Sequence, residues 1–213
     1  MRIHNGLRAW IVNTVSPRAR AARMARFVAQ AGLKPGMRVI DLGGLPAFWR
    51  FCPVPLDVTI VNTDVAQIRR RDFPPHRFTI HEGDATALPF ADHAFDLAFS
   101  NSTIEHVGGP AERAAFAHEV RRLAPSYYVQ TPSIAFPYEV HTGLPFWWHY
   151  PPALRARIIA RWRRTNPVLA EFAAGTTVVR RAEMAALFPD AVIERERLLG
   201  FTKSLILWRR AAG

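Results

Sequence analysis

The chain has 213 residues, 49% of them hydrophobic, which suits one globular domain with a sizeable core and excludes a disordered chain. Its formal net charge of +11, carried almost wholly by arginine, points to an anionic partner such as an acidic substrate, a lipid surface or nucleic acid, unless it only reflects biased base composition. Cys52 is the single cysteine, so no internal disulfide can form and a cytoplasmic compartment is expected; no apolar run approaches the roughly 20 residues of a membrane-spanning helix.

No acid precedes Asp41. Ser16-Pro17 reads as an N-cap followed by proline at the first helical position. Met24, Phe27, Val28 and Ala31 then recur at helical spacing, and Gly32 stands where a C-cap glycine would, so residues 17–31 are predicted to form an amphipathic helix. Residues 1–15, with Trp10, Ile11 and Val12, are expected to add a short helix against the fold or a lipid surface. After the Lys34-Pro35-Gly36 turn, Met37–Leu42 is the first strand, and Gly43-Gly44 opens a tight turn into a short helix or loop through Phe51. Val58–Asn62 is the second strand, Val65–Arg71 a short helix, and Phe78–His81 the third strand. Phe95–Ser100 is the fourth strand, 111–123 an amphipathic helix, and Ser126–Thr131 the fifth strand.

The alternation then breaks. The stretch 132–152 is dense in proline and carries Phe136, Tyr138, Phe146, Trp147, Trp148 and Tyr150, too long and aromatic for an ordinary connection. Helices are predicted at Ala153–Arg164, which is basic, and at Arg181–Leu187. Ala191–Leu198 and Ser204–Trp208 close the chain as strands, and the five residues between them suit an antiparallel hairpin.

In an open α/β sheet, the turn after the first strand is where nucleotide-like cofactors dock, and an acid about 20 residues on holds ribose hydroxyls. Asp64 stands there, and a carboxylate can accept from both hydroxyls of a cis-diol. Asp41, at the end of a buried strand, is expected to organise the glycine turn and to meet the amino group of the cofactor.

Taken in order, these motifs resemble those of the class I S-adenosylmethionine-dependent methyltransferases of the small-molecule type. Val39–Gly44 is similar to their glycine-rich first motif, Asp64 to the acid after strand two, and Gly83-Asp84-Ala85 with Leu88-Pro89-Phe90 and Phe95-Asp96 to their adenine-binding segment. Ser102–Val107 resembles the segment that follows strand four. A bacterial subgroup is also similar in Gly-Gly-x-x-x-Phe-Trp after strand one and Pro-x-Glu-x-His after strand five. Two features depart from the family pattern: Gly44-Leu45-Pro46 replaces the usual x-Gly continuation, and Asn62 could share the ribose role with Asp64.

The resemblance implies an α/β, Rossmann-like three-layer sandwich with a seven-stranded, mostly parallel sheet and a C-terminal antiparallel hairpin. It implies one domain over 1–213, with a helical segment 1–32 and a lid over 132–175. S-adenosylmethionine would contact Asp41, Gly43, Gly44, Asp64, Asp84, Ala85, Asn101 and Ser102. His106, His141 and Glu139 are the candidates for catalysis, against packing or capping roles. Glu139, His141 and His149 could offer metal ligands, but no metal is expected without cysteines or a known spacing. The expected partner is a small-molecule acceptor, lipid- or sugar-linked among the options, with peripheral contact to an anionic inner membrane face as an alternative to a simple packed lid. A degenerate cofactor-binding scaffold and an RNA methyltransferase remain alternatives, although no Asn- or Asp-Pro-Pro-aromatic motif follows strand four. A nicotinamide-dependent dehydrogenase lacks its Gly-x-Gly-x-x-Gly here.

Overall fold

The computed structural model describes residues 16–66, 68, 75–139 and 141–211. The helix expected over 1–15, and most of the one expected over 65–71, lie outside them. Helix α1 (Ser16–Ala31) stops at Gly32, whose φ of +61° is the left-handed cap that its place in the sequence predicts. Strand β1 (Arg38–Leu42) runs through the glycine turn into a single helical turn, α2 (Pro46–Trp49). Pro46 takes the first helical position, where a missing N–H costs nothing. Strands β2 (Asp57–Asn62), β3 (Arg77–Glu82) and β4 (Leu97–Asn101) follow, then α3 (Pro110–Leu123) and β5 (Ser126–Pro132).

The seven strands lie in the order β3-β2-β1-β4-β5-β7-β6. The first five are parallel, and β7 (Phe201–Arg209) runs antiparallel to both β5 and β6 (Val192–Leu198). Strand order reverses between β1 and β4, so a crevice opens beyond their carboxyl ends. Alternating side chains along each strand feed two apolar layers. Val39, Ile60, Phe99 and Tyr128 pack with Met24 and Phe27 of α1 and Trp49 of α2. Ile40, Ala98, Tyr127 and Leu207 pack on the other face with Phe116 and Val120 of α3 and Met184 of α6 (Arg181–Leu187). Phe27 meets Phe99 and Tyr128 edge-on, with ring centroids 4.8 and 5.1 Å away. A ring so enclosed contributes about 1.5–3 kcal/mol by burial alone.

The structure differs from the expectation in two places. The β6–β7 connection is only Leu199-Gly200, and both residues take positive φ (52° and 82°), the twist that a two-residue hairpin needs. Strand β7 therefore starts three residues earlier than expected. After the basic helix α4 (Pro152–Thr165) comes an unanticipated helix, α5 (Pro167–Gly175). Its cap is local: Asn166 Oδ1 accepts from the Leu169 N–H at 3.2 Å, and Pro167 starts the helix.

Candidate functional site

The turn after β1 is built around a buried acid. Asp41 is 1% exposed, and its Oδ2 accepts from Trp49 Nε1 at 2.7 Å. Its carboxylate sits where a Cβ on Gly44 would go, and the Thr103 side chain sits where one on Gly43 would go. Gly43 also has φ +77°, and its N–H donates to Val61 O at 2.8 Å. Two adjacent glycines are thus required by the acid below one and the threonine beside the other. Burial pushes the Asp41 carboxyl up to about 7, against the opposing Trp49 hydrogen bond. Asp41 organises the turn, as expected, but it lies beneath the crevice and does not line it.

Above the turn is a cleft of about 500 Å³. Gly43, Asn62, Thr63, Gly83, Asp84 and Ala85 line one side of it. Ser102, Thr103 and His106 line the other, with Glu171 and Phe172 of α5 at the rim. Asn62 Nδ2 donates to Gly44 O at 3.4 Å, fixing the two strand ends together. Asp84 is exposed, and its Oδ1 accepts from the Thr86 N–H and hydroxyl at 2.9 and 2.8 Å. Asp64 stands just outside the lining, exposed, with Oδ1 accepting from the Ala66 N–H at 3.1 Å.

Behind Ser102 lies a second pocket of about 190 Å³, under the aromatic segment. Phe136, Tyr138 and Trp148 wall it, and Arg20, Arg23 and Lys203 carry its charge. Arg23 is 5% exposed and makes a forked ion pair with Glu196, at 2.6 and 3.2 Å. Its remaining nitrogen donates to Asn101 Oδ1 at 2.6 Å and Gln130 Oε1 at 3.2 Å. Asn101 therefore faces the pocket and not the cleft where it was expected, because a neighbouring cation claims its carbonyl. Burial and the nearby Arg23 and Arg20 push the Lys203 ammonium down, although Glu196 opposes this. Ser102 lines both cavities. It holds φ +60°, unusual for serine, and donates its hydroxyl to Gln130 Oε1 at 2.9 Å.

The wall between the cavities brings His106, His141 and Glu139 together. The two imidazoles meet edge-on at 5.0 Å, and His106 stacks on Phe172 at 5.2 Å. His141 Nδ1 and Glu139 Oε1 are 2.5 Å apart, and the Thr142 N–H donates to Glu139 Oε2 at 2.6 Å. Burial would raise Glu139 and lower His141, but their mutual attraction reverses both. Burial, with His141 nearby, pushes His106 down to about 4, so its ring is neutral. Next to it, Glu105 is 1% exposed and burial lifts it to about 7. His149 stands apart, exposed, with its ring 6.2 Å from Phe146.

Thr63 and Thr103 line the cleft as well, beside Asn62 and Ser102, and nothing in the sequence marks them. Phe172 and Glu171 belong to the unanticipated α5, for which Asn166-Pro167 was an available start signal. Among the described residues no helix is long and apolar enough to cross a membrane.

A family model described as a methyltransferase domain matches residues 45–126. The botryococcene C-methyltransferase of Botryococcus braunii is 31% identical over 119 residues, which cover 52% of this chain and 30% of that protein. The demethylmenaquinone methyltransferase of Renibacterium salmoninarum is 31% identical over 110 residues, covering 49% of this chain and 46% of that protein. The chain thus spans less than half the length of the relatives it matches. A cyclopropane synthase structure from Mycobacterium tuberculosis superposes with a TM-score of 0.56 at 18% identity, covering 83% of this chain and 61% of that one, a likeness of fold alone.

Proposed function

We propose that this chain is a class I S-adenosylmethionine-dependent methyltransferase and moves a methyl group from S-adenosylmethionine to a small amphipathic acceptor. One observation carries the reading: a cleft of about 500 Å³ at the sheet's switch point shares a wall, through Ser102, with a second pocket of about 190 Å³ under an aromatic cover. The cleft falls within the usual range for small-ligand sites, and Gly43, Gly83 and Ala85 leave its walls free of bulk. Gly43, Asn62, Asp84, Ala85 and Ser102 would hold the cofactor, with Asp64 reaching the ribose from the rim. Asp41 serves by holding the turn in shape. When bound, the cofactor supplies an activated methyl group on a sulfonium.

The protein's share is chiefly alignment. Bringing the two reactants into one geometry replaces an encounter from solution. Phe136, Tyr138 and Trp148 would clasp the acceptor's apolar body, while Arg20 and Lys203 favour a polar or anionic end. An acceptor atom that carries a proton must lose it, and His106, His141 and Glu139 are the groups placed to help.

The test is calorimetric titration of the purified chain with S-adenosylhomocysteine, with NAD as control. Micromolar binding of the first alone is expected; binding of NAD, or of neither, overturns the reading. A second reading concerns location. Helix α4 buries none of its residues, and it carries Arg155, Arg157, Arg161, Arg163 and Arg164. Leu154 is 43% exposed, and Val168 at the start of α5 is 82% exposed. These favour contact with the cytoplasmic face of an anionic membrane. Co-sedimentation with phosphatidylglycerol vesicles at low salt is expected, and its absence removes that contact.

A further inference from the structure

Glu105 carries a polar atom with nothing to satisfy it. Its Oε2 accepts from the Thr131 hydroxyl at 3.0 Å, but its Oε1 is fully buried with no hydrogen-bond partner among the described residues. A buried carboxylate oxygen left bare calls for a ligand or a cost. The donors around it are informative. Glu105, His106 and His141 each offer a ligand atom, and these atoms all lie within 4.8 Å of one another.

Hydrogen bonding fixes which ring nitrogens are available. Thr176 donates its hydroxyl to Phe172 O at 2.7 Å, so toward His106 Nδ1, 3.3 Å away, its oxygen can only accept. His106 therefore carries its proton on Nδ1, and its Nε2 keeps a lone pair. Glu139 does the same for His141: the carboxylate accepts from Nδ1–H at 2.5 Å and leaves Nε2 bare. Each of the three donors thus has an outer partner that orients it, Thr131, Thr176 and Glu139 in turn. Carboxylate or hydroxyl support behind an imidazole is the usual architecture behind metal ligands.

We infer that Glu105, His106 and His141 form a site for one divalent transition-metal ion, of zinc or ferrous-iron type, in the wall between the two cavities. Two imidazoles and one carboxylate suit such ions, and three protein ligands leave further positions open, as in catalytic sites. Bonds of about 2.0–2.2 Å place tetrahedral ligands about 3.4 Å apart, so a pair at the 4.8 Å limit must close by about 1.4 Å. The expectation of no metal looked to Glu139, His141 and His149. Here Glu139 stands behind His141, and His149 is remote from the cluster. The inference rests on the proposed reaction only for its purpose: His106 lines the cleft and Glu139, behind His141, lines the pocket, so an ion there would stand between cofactor and acceptor and lend Lewis-acid help to deprotonation.

The test is titration of the chelator-stripped chain with cobalt(II), followed by visible absorption, with S-adenosylhomocysteine affinity measured on the same samples. One equivalent should bind with ligand-field bands that zinc abolishes. His141→Ala should remove the bands, and Glu139→Gln, which keeps all three ligands, should weaken binding ten- to hundredfold. His118→Ala and His149→Ala, both at exposed positions, should change nothing. Absent bands, bands that survive His141→Ala, or bands lost in either exposed variant overturn the site. Should His141→Ala fail to fold, unchanged cobalt affinity in Glu139→Gln overturns it equally. Cofactor binding without cobalt binding sinks the metal and leaves the methyltransferase reading. Cobalt binding without cofactor binding does the reverse.

Discussion

The two cavities that meet at Ser102 are built on different principles. The cleft is made of strand ends and the turns just after them, with Asp84 and Glu171 on its walls, and it suits a ligand carrying a sulfonium. The pocket is assembled from distant pieces of chain around a buried charge network, and it presents Arg20, Arg23 and Lys203. Arg23 and Glu196, which anchor it, are 173 positions apart. A site of local turns tolerates change one residue at a time; a site held by one buried ion pair does not.

The sharpest way to break this contrast is at Arg23. Arg23→Ala strands Glu196 in a place where the two side chains are 5% and 11% exposed. The expected loss is about 3–5 kcal/mol in urea unfolding, because an unpaired charge stays buried. The double variant Arg23→Met with Glu196→Leu should recover much of it. Affinity for S-adenosylhomocysteine should stay within about twofold in the double variant; a tenfold fall would mean that cleft and pocket are one unit.

On the cleft side the corresponding buried charge is Asp41, and its effect is read through pH. Burial pushes the folded carboxyl up to about 7, well above the ordinary aspartate range near 4. Folding therefore favours the protonated acid, and stability falls as pH rises from about 4 to about 7, then levels. At about 1.4 kcal/mol per pK unit, the upper bound on this loss is about 4 kcal/mol. Asp41→Asn cannot ionise, so its stability curve should lack that slope, whatever constant offset the amide introduces. Parallel curves for wild type and variant between pH 4.5 and 7.5 would remove Asp41 as a titrating group. Gly44→Ala attacks the same turn by volume. Its new methyl must displace the Asp41 carboxylate, for an expected 1–3 kcal/mol and a measurable loss of cofactor affinity.

The same contrast explains what could be read from the chain. The strands were legible because β-branched and apolar runs alternate with turns, and the glycine turn because a buried acid precedes it. The positions of Gly83, Asp84 and Ala85 followed from their resemblance to the adenine-binding segment of the family. Asn101 was misplaced because one step along a strand end decides which face a side chain takes. Ser100 reaches back to Leu42 O at 3.1 Å, while Asn101 turns toward Arg23. Nothing local marks Arg23 as the partner of Glu196, since long-range pairing is a property of the folded sheet. His106 and Glu139 were noticed for their chemistry, but only the packing of α5 shows which imidazole nitrogen is bare.

The smallest expected effect tests the acid that stands just outside the cleft's lining. Asp64 is exposed and already accepts from the Ala66 N–H, so it is preorganised by its own turn, at the price of competition from water. A charge-assisted bond to a ribose hydroxyl contributes about 1.5–3 kcal/mol, and exposure argues for the lower end. Asp64→Ala should thus weaken S-adenosylhomocysteine binding about tenfold by calorimetry. Asp64→Asn, which keeps the turn but loses the charge, should fall in between. Asn62→Ala is the decisive companion, because Asn62 lines the cleft and Asp64 does not. If Asn62→Ala costs more than Asp64→Ala, the ribose is held by the strand end and not by the turn beyond it. The cleft would then depend on its lining as the pocket depends on Arg23, and the contrast between them would narrow to distance along the chain.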